Sequence, residues 1–444
     1  MLEKLVAIII ILCIITTNIS FTSNSSIKDD SYKCQLGSKT PYRCVANYND
    51  TSIKYSGCVE KKIWLILRHG TRYPGKKYIP RMLDELPKLQ YLILKNYEEG
   101  RTRLSADDIA LLKKWRPLLT PNDTMKLAPE GENEMVDLGE RYQARFPSLM
   151  PEIYSNQTYK FRYTSTQRTE ESARHFAAGL FGWRNSQCVW YPEPIYKDPI
   201  IRFYKACPRW HQEVDKNPKA RAEKKKFLES KFVTDMLDNI KNYIGHSVNY
   251  ETALLMHTMC AFETAWDQSI VSPWCKMFSL NDFKVFEFAE DLEFYWIDGY
   301  GYQLTYEQAC PVLKDMFDFL SSKESPTTTV YFTHSGAILK FLALIGVAKD
   351  THPLMHDSFT LHGEDERAWK SSIIDAFASN IAFVLYDCVS QGPSVLFMFQ
   401  EQPLYLPSCP SDKPCPISIM KDIYPDSDEE CLFDVMCHTS TQDN

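Results

Sequence analysis

Ile63-Trp64-Leu65-Ile66-Leu67 is an unbroken apolar run of strand length, and it stops at Arg68-His69-Gly70-Thr71-Arg72-Tyr73-Pro74. A run with no polar alternation suits a strand covered on both faces, although periodicity alone does not separate it from a buried helix. Gly70 and Pro74 then break regular structure. Arg68 and His69 are therefore expected at the carboxyl end of a central strand, the edge where open α/β sheets bind ligands. Two guanidinium groups beside one imidazole can grip phosphoryl oxygens while the neutral ring attacks phosphorus. A bare Arg-His pair would as easily be a strand end with solvated arginines. The seven-residue pattern behind an apolar strand is far more specific.

The same arrangement recurs. Thr328-Thr329-Val330-Tyr331-Phe332-Thr333 reads as a strand, His334-Ser335-Gly336 follows it, and Ala337 to Val347 reads as a buried helix. Phe161-Arg162-Tyr163-Thr164-Ser165 reads as a short strand, with a helix running through Ala177, Ala178 and Leu180. Arg168 falls in the connection, where an arginine and backbone N–H groups can both face an anion. Ile381 to Tyr386 and Val395 to Phe399 read as a closing pair of strands. Helical spacing dominates 78–118 and most of 190–325. Leu127 to Arg145 reads as a surface helix with no residue that needs to be chemical. The expected fold class is α/β: a central mixed sheet flanked by helices, with a second, mostly helical domain inserted.

A chain of 444 residues can bury a sizeable core, and its net charge of −7 argues against a nucleic-acid binder. An anionic ligand then needs a local basic cluster, which Lys76, Lys77 and Arg81 could supply; solvated surface charge is the alternative. Residues 1–21 read as a secretory signal peptide, with an uncleaved anchor as the alternative. No later segment is long and apolar enough to span a bilayer. Asn24, Asn49, Asn122 and Asn156 begin glycosylation sequons, and thirteen of the fourteen cysteines lie beyond the signal, which together point to export. Thirteen is odd, so at least one thiol is expected to stay free or to pair between chains. Cys34 and Cys44 suggest an arm at 22–57 pinned by disulfides. Cys409 with Cys415, and Cys431 with Cys437, are candidate pairs by proximity. The main domain is expected at 58–410, with helical insertions at about 78–150 and 190–325, and a cysteine-containing tail at 411–444. No Cys/His spacing suggests zinc, and no cofactor or metal is expected.

Arg68-His69-Gly70-Thr71-Arg72-Tyr73-Pro74 resembles the signature of the histidine acid phosphatases, in the branch of multiple inositol polyphosphate phosphatases. Leu127-Ala128-Pro129-Glu130-Gly131-Glu132-Asn133-Glu134-Met135, the Arg168-Thr169-Glu170-Glu171-Ser172-Ala173 segment and Gly299-Tyr300-Gly301 are similar to the same family. The resemblance runs from about Gly57 to Pro410. It implies that His69 forms a phosphohistidine, that Arg68, Arg72 and Arg168 bind the phosphoryl group, and that His334 is the second catalytic histidine, hydrogen-bonding phosphoryl oxygens. Lys76 is the candidate further substrate contact. The implied substrate is a small phosphate monoester, inositol polyphosphates first.

One departure stands out. The family places its proton donor just after the second histidine, as Asp in the next position or Glu two positions on. Here those positions hold Ser335 and Gly336. A secreted phosphatase with a donor from elsewhere, a carboxylate or water, is the expected reading. An enzyme confined to easily expelled leaving groups is a second. A phosphate-ester-binding protein with weak or lost turnover is a third. Ile297 and Asp298, before Gly299-Tyr300-Gly301, also stand where the family usually has basic residues.

Overall fold

The apolar run lies within strand β1 (Cys58–Arg68), and its neighbours explain its composition. In the computed structural model, which describes residues 31–324, 326–360, 367–424 and 431–439, six more strands join it. These are β2 (Tyr159–Tyr163), β3 (Thr328–Thr333), β4 (Asn380–Cys388), β5 (Gly392–Phe399), β6 (Gln402–Pro403) and β7 (Cys415–Pro416). The order is β2-β3-β1-β4-β5-β6, with β7 on β5. β2, β3 and β1 run parallel; β4 and β5 are antiparallel to their neighbours, so the sheet is mixed. The expected signal peptide and the Asn24 sequon lie outside the described residues.

Thirteen of the fifteen α-helices among the described residues frame the sheet and the site. They are α1 (Ile79–Glu98), α2 (Ala106–Lys114), α3 (Pro129–Arg145), α4 (Gln167–Asn185), α5 (Pro208–Trp210), α6 (Ala222–Leu228) and α7 (Lys231–Ile244). They continue with α8 (Tyr250–Trp266), α9 (Leu280–Asp298), α10 (Gln303–Glu307), α11 (Cys310–Ser321), α12 (Ser335–Leu344) and α13 (Ser371–Ile374). Alternate residues of β1 face two different cores. Ile63, Leu65 and Leu67 pack with Met135, Leu138 and Tyr142 of α3 and with Phe176 and Leu180 of α4. Trp64 and Ile66 join the larger core that includes α1, α8, α9, α11 and α12. Both faces are covered, so no polar alternation survives in the sequence. The polar tip of Trp64 is satisfied: its indole N–H donates to Asp315 Oδ2 at 2.8 Å, and the Tyr331 hydroxyl donates to Asp315 Oδ1 at 3.2 Å.

Two expectations need correction. α3 is not a surface helix: Gly131, Glu134, Met135, Leu138, Gly139, Tyr142 and Arg145 are all buried. Its charged residues disguise this because their partners are remote in sequence. Arg145 is enclosed by Glu401 and by the carbonyls of Asn47 and Asn49. Cys431 and Cys437 do not pair with each other. Cys431 joins Cys310 and Cys437 joins Cys207, each tying the C-terminal segment to a helical region far back in the chain. Cys34–Cys44 and Cys409–Cys415 do form, as do Cys58–Cys388 and Cys260–Cys275. Cys188 is free and exposed.

Candidate active site

β1 and β3 are parallel neighbours, paired so that Arg68 opposes Thr333. The next residue of each strand is a histidine. His69 N–H donates to the Thr333 carbonyl at 3.0 Å, and the imidazole centroids lie 5.6 Å apart. Both rings are buried.

Hydrogen bonds assign a tautomer to each ring. His69 Nδ1 lies 2.9 Å from the Gly70 carbonyl oxygen, an acceptor only, so Nδ1 carries the proton and Nε2 keeps its lone pair. His334 Nδ1 lies 3.1 Å from Arg168 Nη2, a donor only, so that nitrogen accepts. Its Nε2–H then donates to Thr164 Oγ1 at 2.8 Å. Burial, followed by the charges of Arg168, Arg68, His334 and Arg72, holds His69 well below the ordinary imidazole range. His334 is held down likewise, by burial and then Arg168, Arg202, Arg72 and Arg68. Burial and the surrounding guanidinium groups therefore favour the neutral form of both rings.

The cationic groups converge from separate elements. Arg68 ends β1, and its guanidinium stacks 4.7 Å from the Phe377 ring centroid. Arg72 follows the turn and donates to the Tyr73 carbonyl at 2.8 Å. Arg168 lies in the first turn of α4 rather than in the connection before it. Burial disfavours charge on Arg72 and on Arg168, and their arginine neighbours add to the effect. The Nε atoms of Arg68, Arg168 and Arg202 are buried without a hydrogen-bond partner. Buried orphan donors beside concentrated positive charge are the complement of a dianion.

The turn between His69 and Arg72 is clamped by α3. Thr71 N–H donates to Glu134 Oε2 at 2.7 Å, Thr71 Oγ1–H to Oε1 at 2.9 Å, and Tyr42 N–H to Oε1 at 3.0 Å. A Cβ on Gly131 would lie 2.1 Å from the Thr71 carbonyl oxygen, so only glycine lets the helix approach this closely. α4 ties the turn from the other side, where Gly70 N–H donates to Ser172 Oγ at 3.2 Å.

One carboxylate stands inside this cluster. Asp375, just after α13, is fully buried. Its Oδ1 lies 3.2 Å from Arg68 Nη1, and its Oδ2 lies 2.5 Å from the hydroxyl of Ser335. Burial raises its pKa to about 7, against the opposing pull of Arg68 and the Ser335 hydrogen bond. Asp298 lies close to Gly336, where an added Cβ would be 3.2 Å from Asp298 Oδ1, and it is paired with the buried Lys340 ammonium.

Of the residues expected from sequence, His69, His334, Arg68, Arg72 and Arg168 come together. Lys76 does not join them: it is exposed in the turn before α1, and no hydrogen bond or ion pair links it to the cluster. Sequence reasoning missed Arg202, Thr164, Glu134 and Asp375. Arg202 is placed by Asp198, whose carboxylate accepts from Ile200 and Ile201 N–H at 2.8 and 3.0 Å. A lone charge within Ile200-Ile201-Arg202-Phe203-Tyr204, and another within Ile373-Ile374-Asp375-Ala376-Phe377, were the available signals. Among the described residues no group of three or more His, Cys, Asp or Glu side chains could hold a metal ion.

Comparison with known proteins adds the lineage. Residues 61–400 match the family described as the histidine phosphatase superfamily (branch 2). Multiple inositol polyphosphate phosphatase 1 of Drosophila melanogaster is 34% identical over 84% of this chain and 81% of its own length. The Homo sapiens protein of the same name is 27% identical over 80% and 77%. Among solved structures, the phytase from D. castellii superposes with a TM-score of 0.74 at 16% identity, covering 94% of this chain and 90% of the other. The Bifidobacterium longum multiple inositol polyphosphate phosphatase in complex with inositol hexasulfate gives 0.66 at 15% identity, covering 88% and 98%.

Proposed function

The chain belongs to the histidine phosphatase superfamily, branch 2, as a histidine acid phosphatase, and from that premise we propose that it hydrolyses inositol polyphosphates and related phosphate monoesters through a phosphohistidine at His69. The observation that carries the mechanism is the Gly70 carbonyl on His69 Nδ1, which leaves Nε2 as a neutral nucleophile among three arginines. Nε2 attacks phosphorus, and the bond to the leaving oxygen breaks with its electron pair. Arg68, Arg72 and Arg168 offset the charge on the phosphoryl oxygens. His334 holds Arg168 in place, and a dianion in the pocket favours its protonated form, whose Nδ1–H can then donate to a phosphoryl oxygen. Water afterwards displaces His69 from phosphorus.

The inositol polyphosphate reading is supported by the names of the relatives and by the anion-complementary pocket. A protein that only bound phosphate esters would not need an imidazole with a free nitrogen at the centre. We place the protein in the secretory pathway, supported by the signal-like start, the disulfides and the exposed sequon residues Asn49, Asn122 and Asn156. No helix among the described residues is long and apolar enough to cross a membrane.

The test is phosphate release from inositol hexakisphosphate, with acid-quenched samples raised to high pH and searched by mass spectrometry for phosphate on His69. Release by the wild type and its loss in His69→Ala are expected. Turnover in His69→Ala equal to wild type would overturn the mechanism.

A further inference from the structure

A phosphatase acting on an alkyl ester must protonate a strongly basic alkoxide as the P–O bond breaks. A positioned acid is worth about 10²–10⁴-fold in rate. Neither Ser335 nor Gly336 is such an acid, and two carboxylates are near enough to be considered in its place: Asp375 inside the cluster and Asp298 beside Gly336. Asp298 is engaged as the partner of the buried Lys340 ammonium. Asp375 has no such ammonium partner and sits directly behind Ser335.

We infer that Asp375, working through the Ser335 hydroxyl, is the proton source for the leaving oxygen. The inference rests on the phosphatase reading above. Three observations support it. Ser335 is the residue immediately after His334, at the first position of α12, and it is partly exposed while Asp375 is not. The Oγ–Oδ2 separation of 2.5 Å is that of a strong O–H···O bond. Arg68 contacts both the Asp375 carboxylate and its backbone carbonyl, so the acid is fixed to the same arginine that ends β1.

The proton balance closes over both half-reactions. As His69 Nε2 bonds to phosphorus, the leaving oxygen takes the Ser335 hydroxyl proton and Ser335 takes the Asp375 proton. In the second half-reaction water attacks phosphorus and gives a proton to Ser335, whose own proton returns to Asp375. The P–N electron pair goes back to His69. The charged groups facing Asp375 are Arg68 and Arg72 beside it and Glu290 and Asp298 from α9. The two carboxylates favour its protonated form and the arginines oppose it. Burial adds to the first effect, so the acid is held protonated below about pH 7.

The simpler alternative is that Asp375 is only the counterion of Arg68. The two roles differ in how the loss depends on the leaving group, since a nitrophenolate departs without a proton and an inositol alkoxide does not. The experiment compares inositol hexakisphosphate with nitrophenyl phosphate in the wild type, Asp375→Asn, Ser335→Ala and the double variant Ser335→Asp/Asp375→Asn. Asn can keep a contact to both Arg68 and Ser335 but cannot supply a proton. We expect Asp375→Asn to lower turnover of the inositol ester by about 10²–10⁴-fold and that of the aryl ester far less. Ser335→Ala, a change at the partly exposed end of the relay, should show the same selectivity. The double variant should recover part of the inositol ester rate, and the alkaline limb near pH 7 should be confined to that substrate. Equal losses on both esters in Asp375→Asn would reduce Asp375 to a counterion, and an unaltered Ser335→Ala would remove the relay; either overturns the inference alone. A wild type inert on both esters and free of phosphohistidine would instead overturn the phosphatase reading, and the inference with it.

Discussion

Glu134→Gln is the substitution that tests how the catalytic turn is held. The carboxylate accepts three hydrogens: Thr71 N–H on one oxygen, Thr71 Oγ1–H and Tyr42 N–H on the other. A carboxamide offers one oxygen. If that oxygen serves Thr71 Oγ1 and Tyr42, the amide NH₂ confronts Thr71 N–H. If the amide is flipped, it confronts Tyr42 N–H. One buried backbone N–H is orphaned either way, at a cost of about 1–3 kcal/mol. In a chain of 444 residues, with an unfolding entropy of roughly 2.1 cal/mol/K per residue, 2 kcal/mol moves the melting temperature by only about 2 °C. Urea unfolding is therefore the better assay. Activity should fall further than stability, because Thr71 lies between His69 and Arg72 and a small shift of the turn misplaces both. Thr71→Val, which removes one of the three donors without orphaning a backbone group, should cost less. A Glu134→Gln protein with wild-type urea midpoint and wild-type phosphate release would refute the clamp.

Other outcomes follow from the same structure. Arg168→Ala should lose about 3 kcal/mol of transition-state stabilisation, as for one missing donor, and relax His334; an unchanged kcat/KM would exclude Arg168 from the pocket. Glu134, Glu263, Asp291 and Asp375 are all raised by burial, to about 7, 7, 8 and 7. The native state binds these protons more tightly than the unfolded chain, so their stabilisation is full below the ordinary carboxyl range and is lost as pH rises through 7–8. His69, His334 and His257 are shifted the other way and oppose this trend below the ordinary histidine range, so the clean window lies above it. Calorimetry should find the melting temperature falling from pH 6.5 to pH 8, and a rise over that window would contradict the assignment. Glycosidase treatment of protein from its natural source should lower its mass, with glycans found at Asn49, Asn122 or Asn156; an unshifted, reduced cytosolic species would end the secretory placement. A thiol reagent applied without reductant should label Cys188, and labelling of Cys431 or Cys437 would break the pairing described.

The parts of the fold that could be read from sequence are those whose signal is local. The apolar runs ending at Leu67 and Thr333 mark strands because burial on both faces leaves nothing polar in them. The histidines after them are placed by chain geometry alone. What could not be read depends on partners far along the chain. Glu134 looks like a solvent-facing residue of a charged helix until Thr71 and Tyr42 are brought against it. Asp375 precedes a strand and carries no motif; it gains meaning only beside Arg68 and Ser335. Arg168 was locatable but not its bond to His334, which requires β2 and β3 to pair. The disulfides of Cys431 and Cys437 failed for the same reason, since nearness in sequence says nothing about a tail that is carried back to α5 and α11.

The parallel pairing of Ile63 with Thr328 has a consequence for the making of the protein. β1 leaves the ribosome early, apolar on both faces, and its parallel partner is encoded roughly 260 residues later. At about 5–20 residues per second that interval lasts about 13–50 s. Its other neighbour, β4, emerges later still, and the Cys58–Cys388 bond cannot close before it. For that time an unpaired, water-averse strand must be shielded from other nascent chains, so this protein's yield should depend on chaperones and on the speed of its own synthesis.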